Sequence, residues 1–159
     1  MTLEQILNEL LVKLFKGVLE IEEHYLITDE FEDITTNDMH VIEAVGIQEP
    51  RKMSEVAKRL YVTTGTLTKA TDALVEKGYV LRQRSTADKR VIQLVLTEKG
   101  KKAYDHHDRF HKEMIEHMKE GLNEQETTVL IYAMAKLSDY FKEIYNVKDD
   151  DGDFGKWIP

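Results

Sequence analysis

The stretch that decides the fold is residues 54–100, which read SEVAKRLYVTTGTLTKATDALVEKGYVLRQRSTADKRVIQLVLTEKG. Its first part predicts a short helix capped by Ser54, and a second helix begins at Thr63 or Thr64 and ends near Gly78. The run RVIQLVL alternates apolar and polar residues as a strand does, and it follows YVLRQR across the polar loop STADK. Two helices, a tight turn and a hairpin in this order predict a winged helix-turn-helix.

The second of these helices has two different faces. A packing side is predicted for Leu67, Ala70, Thr71, Leu74 and Val75, whereas the opposite side carries small, polar or charged residues. A helix that enters the major groove of DNA needs such a polar face, because hydroxyl and cationic groups contact base edges and phosphates there. The alternative, in which the threonines only cap and pack the helix, stays open at this point.

The rest of the chain predicts four further helices. Thr2-x-x-Gln5 is a capping box for a helix over about residues 3–26, and Thr35 or Thr36 caps a helix that stops at Gly46. Thr97 caps a long helix through about Lys119, and Asn123-x-x-Glu126 caps the last one. The predicted fold is therefore mostly α, with six helices and a small β-hairpin wing.

Length and composition indicate one domain. The 159 residues include no cysteine, so disulfides, thiolate zinc sites and cysteine nucleophiles are excluded. We expect a single domain over residues 1–145, with the winged helix-turn-helix at about 35–97, helical regions at about 3–26 and 98–145, and an acidic tail at 146–159. The role of Phe154 and Trp157 in that tail is open.

Several function classes are disfavoured by missing patterns. No apolar run approaches the ~18 residues of a membrane span, and the start lacks the basic-then-apolar order of a secretory signal, so a cytoplasmic protein is expected. The sequence has no glycine-rich phosphate loop, no nucleophile elbow and no paired carboxylates flanked by apolar residues. We therefore expect no enzyme activity and no cofactor.

The charge is distributed unevenly. The net charge is −8, yet residues 51–100 hold 11 basic and 5 acidic residues, a balance of +6. Because a polyanion senses the field within a Debye length of ~8–10 Å, this middle third can bind phosphates despite the total. The residues predicted to bind DNA are Ser54, Thr63, Thr64, Gly65, Thr66, Thr68, Lys69, Arg82, Arg84, Ser85, Lys89 and Arg90. Asp88 is expected to pair with Arg90 and fix the wing, and that pairing alone is the alternative role for Arg90.

The same stretch resembles the MarR family of dimeric winged-helix transcription regulators. The resemblance is carried by DKRVIQLVLTEKG, an Asp-x-Arg wing tip that leads into a strand and then a Thr-x-x-Gly helix start, and the order of six helices matches over residues 3–145. It implies that the terminal helices build a homodimer that binds a palindromic operator in double-stranded DNA. The alternative is a monomer in which these helices pair with each other.

Four shorter segments resemble the members of this family that repress type II fatty acid synthesis in Gram-positive cocci. They are VLEIEEHYL, DITTNDMHVIEAVG, VTTGTLTKATDALVEKGYV and HDRFHKEM. This resemblance implies a repressor whose corepressor is a long-chain acyl group carried on acyl carrier protein. A MarR-type regulator that responds to another small ligand or to a metal is the alternative.

An effector pocket is predicted between the dimer helices and the winged region. Its lining would be apolar with a polar rim, which suits an acyl chain, although each side chain could equally be ordinary core. The predicted lining residues are Phe15, Leu19, Phe31, Met39, His40, Glu43, His107, Phe110 and His111. His107 and His111 are four residues apart on one helix, but no metal site is predicted, and His106 and His117 are expected to be solvated.

A different function class also has to be considered. A dimeric adaptor could use the winged fold for contacts with another protein, including a carrier protein, without binding DNA. The basic middle third favours DNA, because an adaptor has no reason to gather half of its basic residues there. An acyl carrier protein is acidic too, however, so the patch could serve both partners.

Overall fold

The computed structural model describes residues 1–28 and 30–145, and it contains six helices and three strands in that part of the chain. The elements follow one another as α1 (Leu3–Leu26), α2 (Thr36–Val45), β1 (Arg51–Lys52), α3 (Met53–Arg59), α4 (Thr64–Glu76), β2 (Val80–Arg84), β3 (Ile92–Leu96), α5 (Glu98–Glu120) and α6 (Glu124–Tyr145). The mostly α fold with a winged helix-turn-helix is confirmed. Phe154 and Trp157 lie outside the described residues.

Most of the predicted helix starts are confirmed by their capping bonds. The Oγ1 atom of Thr2 accepts from the Gln5 amide at 3.2 Å, and that of Thr35, rather than Thr36, accepts from the Asp38 amide at 3.1 Å. Asn123 and Glu126 cap α6 reciprocally. Each cap satisfies amides that lack a partner in the first helical turn.

The predicted cap of α3 is wrong. The helix begins at Met53, with Lys52 as the capping residue, so Ser54 lies in its first turn. The reason is that Arg51 and Lys52 are held in a strand, and the Lys52 amide donates to Oε2 of Glu55 at 3.2 Å as the chain turns into the helix. Ser54 is nevertheless exposed.

The wing contains one strand more than predicted. The antiparallel sheet has the order β1-β3-β2, in which Leu94 is opposite Arg51 on one side and Arg82 on the other. Two residues give too short a pattern for β1 to be recognised from sequence. The loop between β2 and β3 is also longer than STADK, because Arg90 and Val91 join it through bonds of their amides to Asp88.

The first compact unit, Met1–Phe110, contains a core that fixes α4 against the sheet. Leu67 and Leu74 of α4, Val56 of α3, Val80 of β2 and Leu94 of β3 are all buried. Behind them α5 begins in close contact with the turn between α4 and β2: a Cβ on Gly100 would lie 2.1 Å from the Tyr79 carbonyl oxygen. The helix α4, which is the candidate recognition helix, and the wing are thus attached to one buried core.

The second compact unit starts at His111. Its described part is the last turns of α5, the break at Gly121 and the whole of α6. Apolar side chains of α6 remain open to solvent in the single chain, with Met134 59% exposed and Ile144 59% exposed. The predicted domain boundaries stay predictions. None of the helices in the described ranges is long and apolar enough to cross a membrane.

Candidate nucleic-acid interface

The two faces predicted for α4 are confirmed. Leu67, Thr71 and Leu74 are almost completely buried, while Lys69 and Asp72 are exposed on the opposite side. The buried Thr71 hydroxyl donates to the Leu67 carbonyl oxygen at 2.5 Å, which satisfies the polar group inside the core. The polar face of α4 therefore consists of side chains that the fold itself does not use for packing.

The N-terminus of α4 presents four exposed residues, Thr63, Thr64, Gly65 and Thr66. Thr63 is the capping residue, since its Oγ1 accepts from the Thr66 amide at 3.1 Å and lies 3.0 Å from the Thr66 hydroxyl. One turn on, the Thr68 hydroxyl donates to the Thr64 carbonyl oxygen at 2.8 Å. Capping accounts for Thr63, but exposed hydroxyl groups and helix N-terminal amides can also donate hydrogen bonds to the oxygens of a phosphate group.

The predicted wing pair of Asp88 and Arg90 is present. Oδ1 of Asp88 accepts from the Arg90 amide at 3.0 Å and from its Nε at 3.1 Å, and Oδ2 accepts from Nη2 at 3.1 Å. The Arg90 side chain holds the pKa of the Asp88 carboxyl below its usual value. The side chain of Arg90 is still 90% exposed, so structural pairing and contact with DNA are compatible.

Ser85 has a local role at the start of this loop. Its Oγ accepts from the Ala87 amide at 3.2 Å and from the Asp88 amide at 3.4 Å. The hydroxyl therefore shapes the turn that carries Asp88 and Arg90 to the tip of the wing.

Three cations on this surface are left without partners of their own. Lys69, Arg84 and Lys89 are exposed, and their side chains make no hydrogen bond or ion pair with the residues that the structure describes. Such side chains can neutralise phosphates at no cost in internal contacts. Arg82 differs, because its guanidinium binds the Asp72 carboxylate and also donates to the Thr68 carbonyl oxygen at 3.1 Å.

A cleft of about 470 Å³ separates α4 from the wing. Thr64, Thr68 and Arg82 line it together with Ser54, and its remaining walls are formed by Lys52, Met53, Val91 and Ile92. The sequence-predicted residues Ser54, Thr64, Thr68 and Arg82 thus meet around one concave surface.

The residues predicted to line an effector pocket differ in their burial and in the compact unit to which they belong. Within the first unit Phe31, Met39, His107 and Phe110 are buried, and His40 and Glu43 lie beside His107. Phe15 and Leu19 are exposed on α1, at 52% and 56%. His111 belongs to the second unit.

Sequence reasoning missed Glu22, a buried carboxylate of α1. Its Oε1 lies 2.7 Å from Nε2 of His107 and 3.0 Å from Nε2 of His40, and Glu43 is 3.6 Å from the other nitrogen of His107. Burial raises the pKa of Glu22, but hydrogen bonds from the two histidines and their charge outweigh it, so the pKa lies below its usual value. The signal was available: Glu22 is four residues after Val18 and four before Leu26, on the apolar stripe of α1.

The expectation that His106 is solvated is wrong. Its Nε2 lies 3.0 Å from the Tyr25 carbonyl oxygen, and its ring stacks on Tyr25 at 5.0 Å and packs near Phe31 at 5.2 Å. This carbonyl lies in the last turn of α1 and has no helical partner, so His106 can supply the hydrogen bond that the helix does not. His117, in contrast, is exposed as expected.

Comparison with known sequences relates the chain to transcription regulators. The family model of the MarR family matches residues 34–92. The chain is 37% identical over 101 residues to the uncharacterized helix-turn-helix transcriptional regulator YpoP of Bacillus subtilis. The aligned segment covers 63% of this chain and 68% of YpoP. It is 38% identical over 69 residues to the regulator SarZ of Staphylococcus saprophyticus. This aligned segment covers 43% of this chain and 47% of SarZ.

Comparison with solved structures gives the same grouping. FabT of Streptococcus pneumoniae in complex with DNA has a TM-score of 0.83 and 38% identity, covering 89% of this chain and 99% of that chain. A MarR mutant from E. coli complexed with operator DNA has a TM-score of 0.65 and 26% identity, covering 82% of this chain and 92% of that chain.

Proposed function

Because the chain belongs to the MarR family and is a DNA-binding transcription regulator rather than an enzyme, we propose that it represses fatty acid biosynthesis genes. The observation that carries this proposal is the similarity to FabT, a structure in complex with DNA, over 89% of this chain. Long-chain acyl-acyl carrier protein is the proposed corepressor, as the resemblance of the four shorter segments implies.

The proposed DNA-binding face combines the polar side of α4 with the wing. Lys69 contacts a phosphate, and the threonines at the start of α4 reach base edges and backbone in the major groove. Arg84, Lys89 and Arg90 extend along the wing, where arginine can enter a minor groove narrowed by A·T-rich sequence. Support comes from the exposure of these side chains and from the absence of partners for Lys69, Arg84 and Lys89 among the described residues.

The proposed regulator is a homodimer, the state typical of its family. In the single chain, α1 leaves large apolar side chains open to water, among them Leu3 at 73%, Leu14 at 63% and Ile21 at 61% exposed. Exposed apolar surface of this extent marks an interaction site. A twofold axis would present two α4 helices about 34 Å apart, which fits two half-sites of a palindrome.

The effector acts by preferring one conformation of the dimer. A corepressor tightens operator binding only if it binds the DNA-competent state better than the other state. The proposed site is the predicted pocket region of the first unit around Phe31, His40, Glu43 and Phe110, where apolar rings lie close to polar groups. The acyl chain would contact the rings, and the polar groups would lie near its thioester end.

The test is a titration of the promoter of the fatty acid synthesis genes from the organism that encodes the chain. Binding is measured by fluorescence anisotropy alone, with long-chain acyl-acyl carrier protein, and with the same carrier protein lacking the acyl chain as control. Tightening by the acylated form alone is the expected result. Specific binding that ignores the acyl chain would leave a MarR regulator with a different effector, and no specific binding would contradict the proposed promoter.

A further inference from the structure

Arg82 of β2 is connected to the recognition helix by two separate contacts. One nitrogen of its guanidinium, Nη1, donates to Oδ1 of Asp72, and the other, Nη2, donates to the Thr68 carbonyl oxygen at 3.1 Å. Asp72 and Thr68 are four residues apart, so they lie one above the other on the same face of α4. A planar guanidinium with forked donors can satisfy both acceptors at once.

The strand pattern explains why Arg82 points toward the helix. Side chains alternate between the two faces of a strand, so Arg82 is on the same face of β2 as Val80, which is completely buried. Arg82 is also directly opposite Leu94 of β3, another completely buried residue. The core therefore directs this arginine toward α4, and only 31% of its side chain remains exposed.

The pair lies at the edge of the cleft between α4 and the wing. Arg82 and Thr68 both line that cleft, whose other side is formed by Lys52, Met53, Val91 and Ile92. Because α4 and the wing contact different parts of a DNA duplex in the proposed complex, their mutual angle decides whether both can fit the same site. A contact that spans the two elements at this point can add to the packing of the core in fixing that angle.

We propose that Arg82 is a positioning residue, which holds the recognition helix at a fixed angle to the wing through Asp72 and the Thr68 carbonyl oxygen. This inference rests on the proposed DNA-binding face. In that role the arginine supports sequence-specific recognition, and its charge is already neutralised by Asp72 rather than directed at a phosphate.

Removal of the Asp72 carboxylate tests the proposal, because a positioning role and a purely electrostatic role predict opposite changes in affinity for the specific duplex. A carboxylate on a face that approaches DNA repels phosphates, so its removal should tighten binding to every duplex if charge alone matters. If Asp72 positions the helix, its removal must weaken binding to the specific duplex despite the gain in charge. Glu76 is the matched control, because it is an exposed acid one turn further along α4 with no partner among the described residues.

The experiment compares Asp72→Asn, Arg82→Lys and Glu76→Gln with the wild-type chain. Two probes are used: a duplex that the wild-type protein selects from a randomised pool, and a scrambled duplex of the same composition. Both Asp72→Asn and Arg82→Lys should lower the ratio of specific to scrambled affinity by about three- to fivefold, the effect of an exposed ion pair. Arg82→Lys keeps the charge but cannot reach both acceptors, so a mere phosphate contact would survive it.

The double variant adds an independent readout. If the two residues act as one unit, Asp72→Asn combined with Arg82→Lys should lower the ratio no further than either change alone. An affinity ratio for Asp72→Asn that matches Glu76→Gln, or an Arg82→Lys variant with the wild-type ratio, would overturn the inference. If Lys69→Ala still weakens binding in that case, the proposed DNA face stands and only the positioning role fails; if the wild type selects no duplex, both fail.

Discussion

The carboxylate of Glu22 in α1 accepts a hydrogen bond from Nε2 of His107 in α5 at 2.7 Å, and both residues are almost completely buried. The same oxygen also lies 3.0 Å from Nε2 of His40 in α2. One buried charge therefore connects α1, α2 and the part of α5 that belongs to the first unit. Since a buried charge is costly unless it is paired, loss of either partner should affect the fold more than loss of a surface ion pair.

The first prediction concerns the charge of Glu22. The substitution Glu22→Gln keeps the size of the side chain but removes its negative charge, and should lower the free energy of unfolding by about 1.5–3 kcal/mol, the contribution of hydrogen bonds to a charged group. Urea unfolding at pH 7 and one fixed protein concentration measures the loss. Glu23→Gln, at the exposed neighbouring position, is the control and should stay close to the wild type. Equal stability of the two variants would contradict a stabilising role for the buried charge.

The second prediction is a dependence on pH. Because the pKa of Glu22 is lowered in the folded state, its contribution to stability is fully present above the ordinary pKa of a glutamate. It is lost as the pH falls through the lower, folded-state pKa. The difference in the free energy of unfolding between the wild type and Glu22→Gln should therefore be largest near neutral pH and shrink under acid conditions. Unfolding curves between pH 7 and pH 3 measure it, and a constant difference would rule out Glu22 as the titrating group.

The contrast between α4 and Glu22 indicates what sequence alone can predict. The two faces of α4 follow from a helical period, and a capping threonine and a terminal glycine mark its ends. Glu22 is part of no local motif, because its partners are 18 and 85 residues away in sequence. The same limit applies to β1, whose two residues form a strand only through pairing with β3.

The proposed DNA-binding face also combines features that the sequence predicts with features that it does not. Exposure of Lys69 and the pairing of Asp88 with Arg90 could be predicted because helix period and short sequence spacing determine them. The contact of Arg82 with Asp72 could not, since it depends on the register of β2 and on the angle at which α4 packs against the sheet. Sequence identified the residue types of the surface, and tertiary structure decides which of them are already engaged.

A third prediction concerns the start of α5. Gly100→Ala would place a Cβ 2.1 Å from the Tyr79 carbonyl oxygen and 3.2 Å from Cβ of Leu96, and neither is the end of a flexible side chain. We expect this variant to lose about 3 kcal/mol of stability through overpacking. Thermal unfolding measures the loss, with Gly121→Ala as control, because its Cβ would meet the Met118 carbonyl oxygen at an ordinary 3.7 Å. A Gly100→Ala variant as stable as Gly121→Ala would show that α5 can move away from Tyr79.

The fourth prediction distinguishes phosphate contact from general attraction. Lys69→Ala should weaken binding of the selected duplex and lower the slope of log affinity against log salt by about one, because one fewer counterion is released. Anisotropy titrations across a salt series measure both quantities. Lys102→Ala removes an exposed lysine of α5, outside the proposed face, and should leave the slope unchanged. An unchanged slope for Lys69→Ala would remove this residue from the phosphate contacts.

The last prediction concerns the apolar surface of α1. Leu7 and Leu14 are 51% and 63% exposed in the single chain, so a charge at these positions should cost little within one protomer but much in a dimer interface. The double variant Leu7→Asp with Leu14→Asp should shift the chain from dimer to monomer at micromolar concentration. Sedimentation equilibrium measures this shift, and Asn8→Asp adds a charge at an exposed polar position of the same helix as control. If the double variant stays as dimeric as Asn8→Asp, these leucines lie outside the dimer contact and another surface must join the protomers.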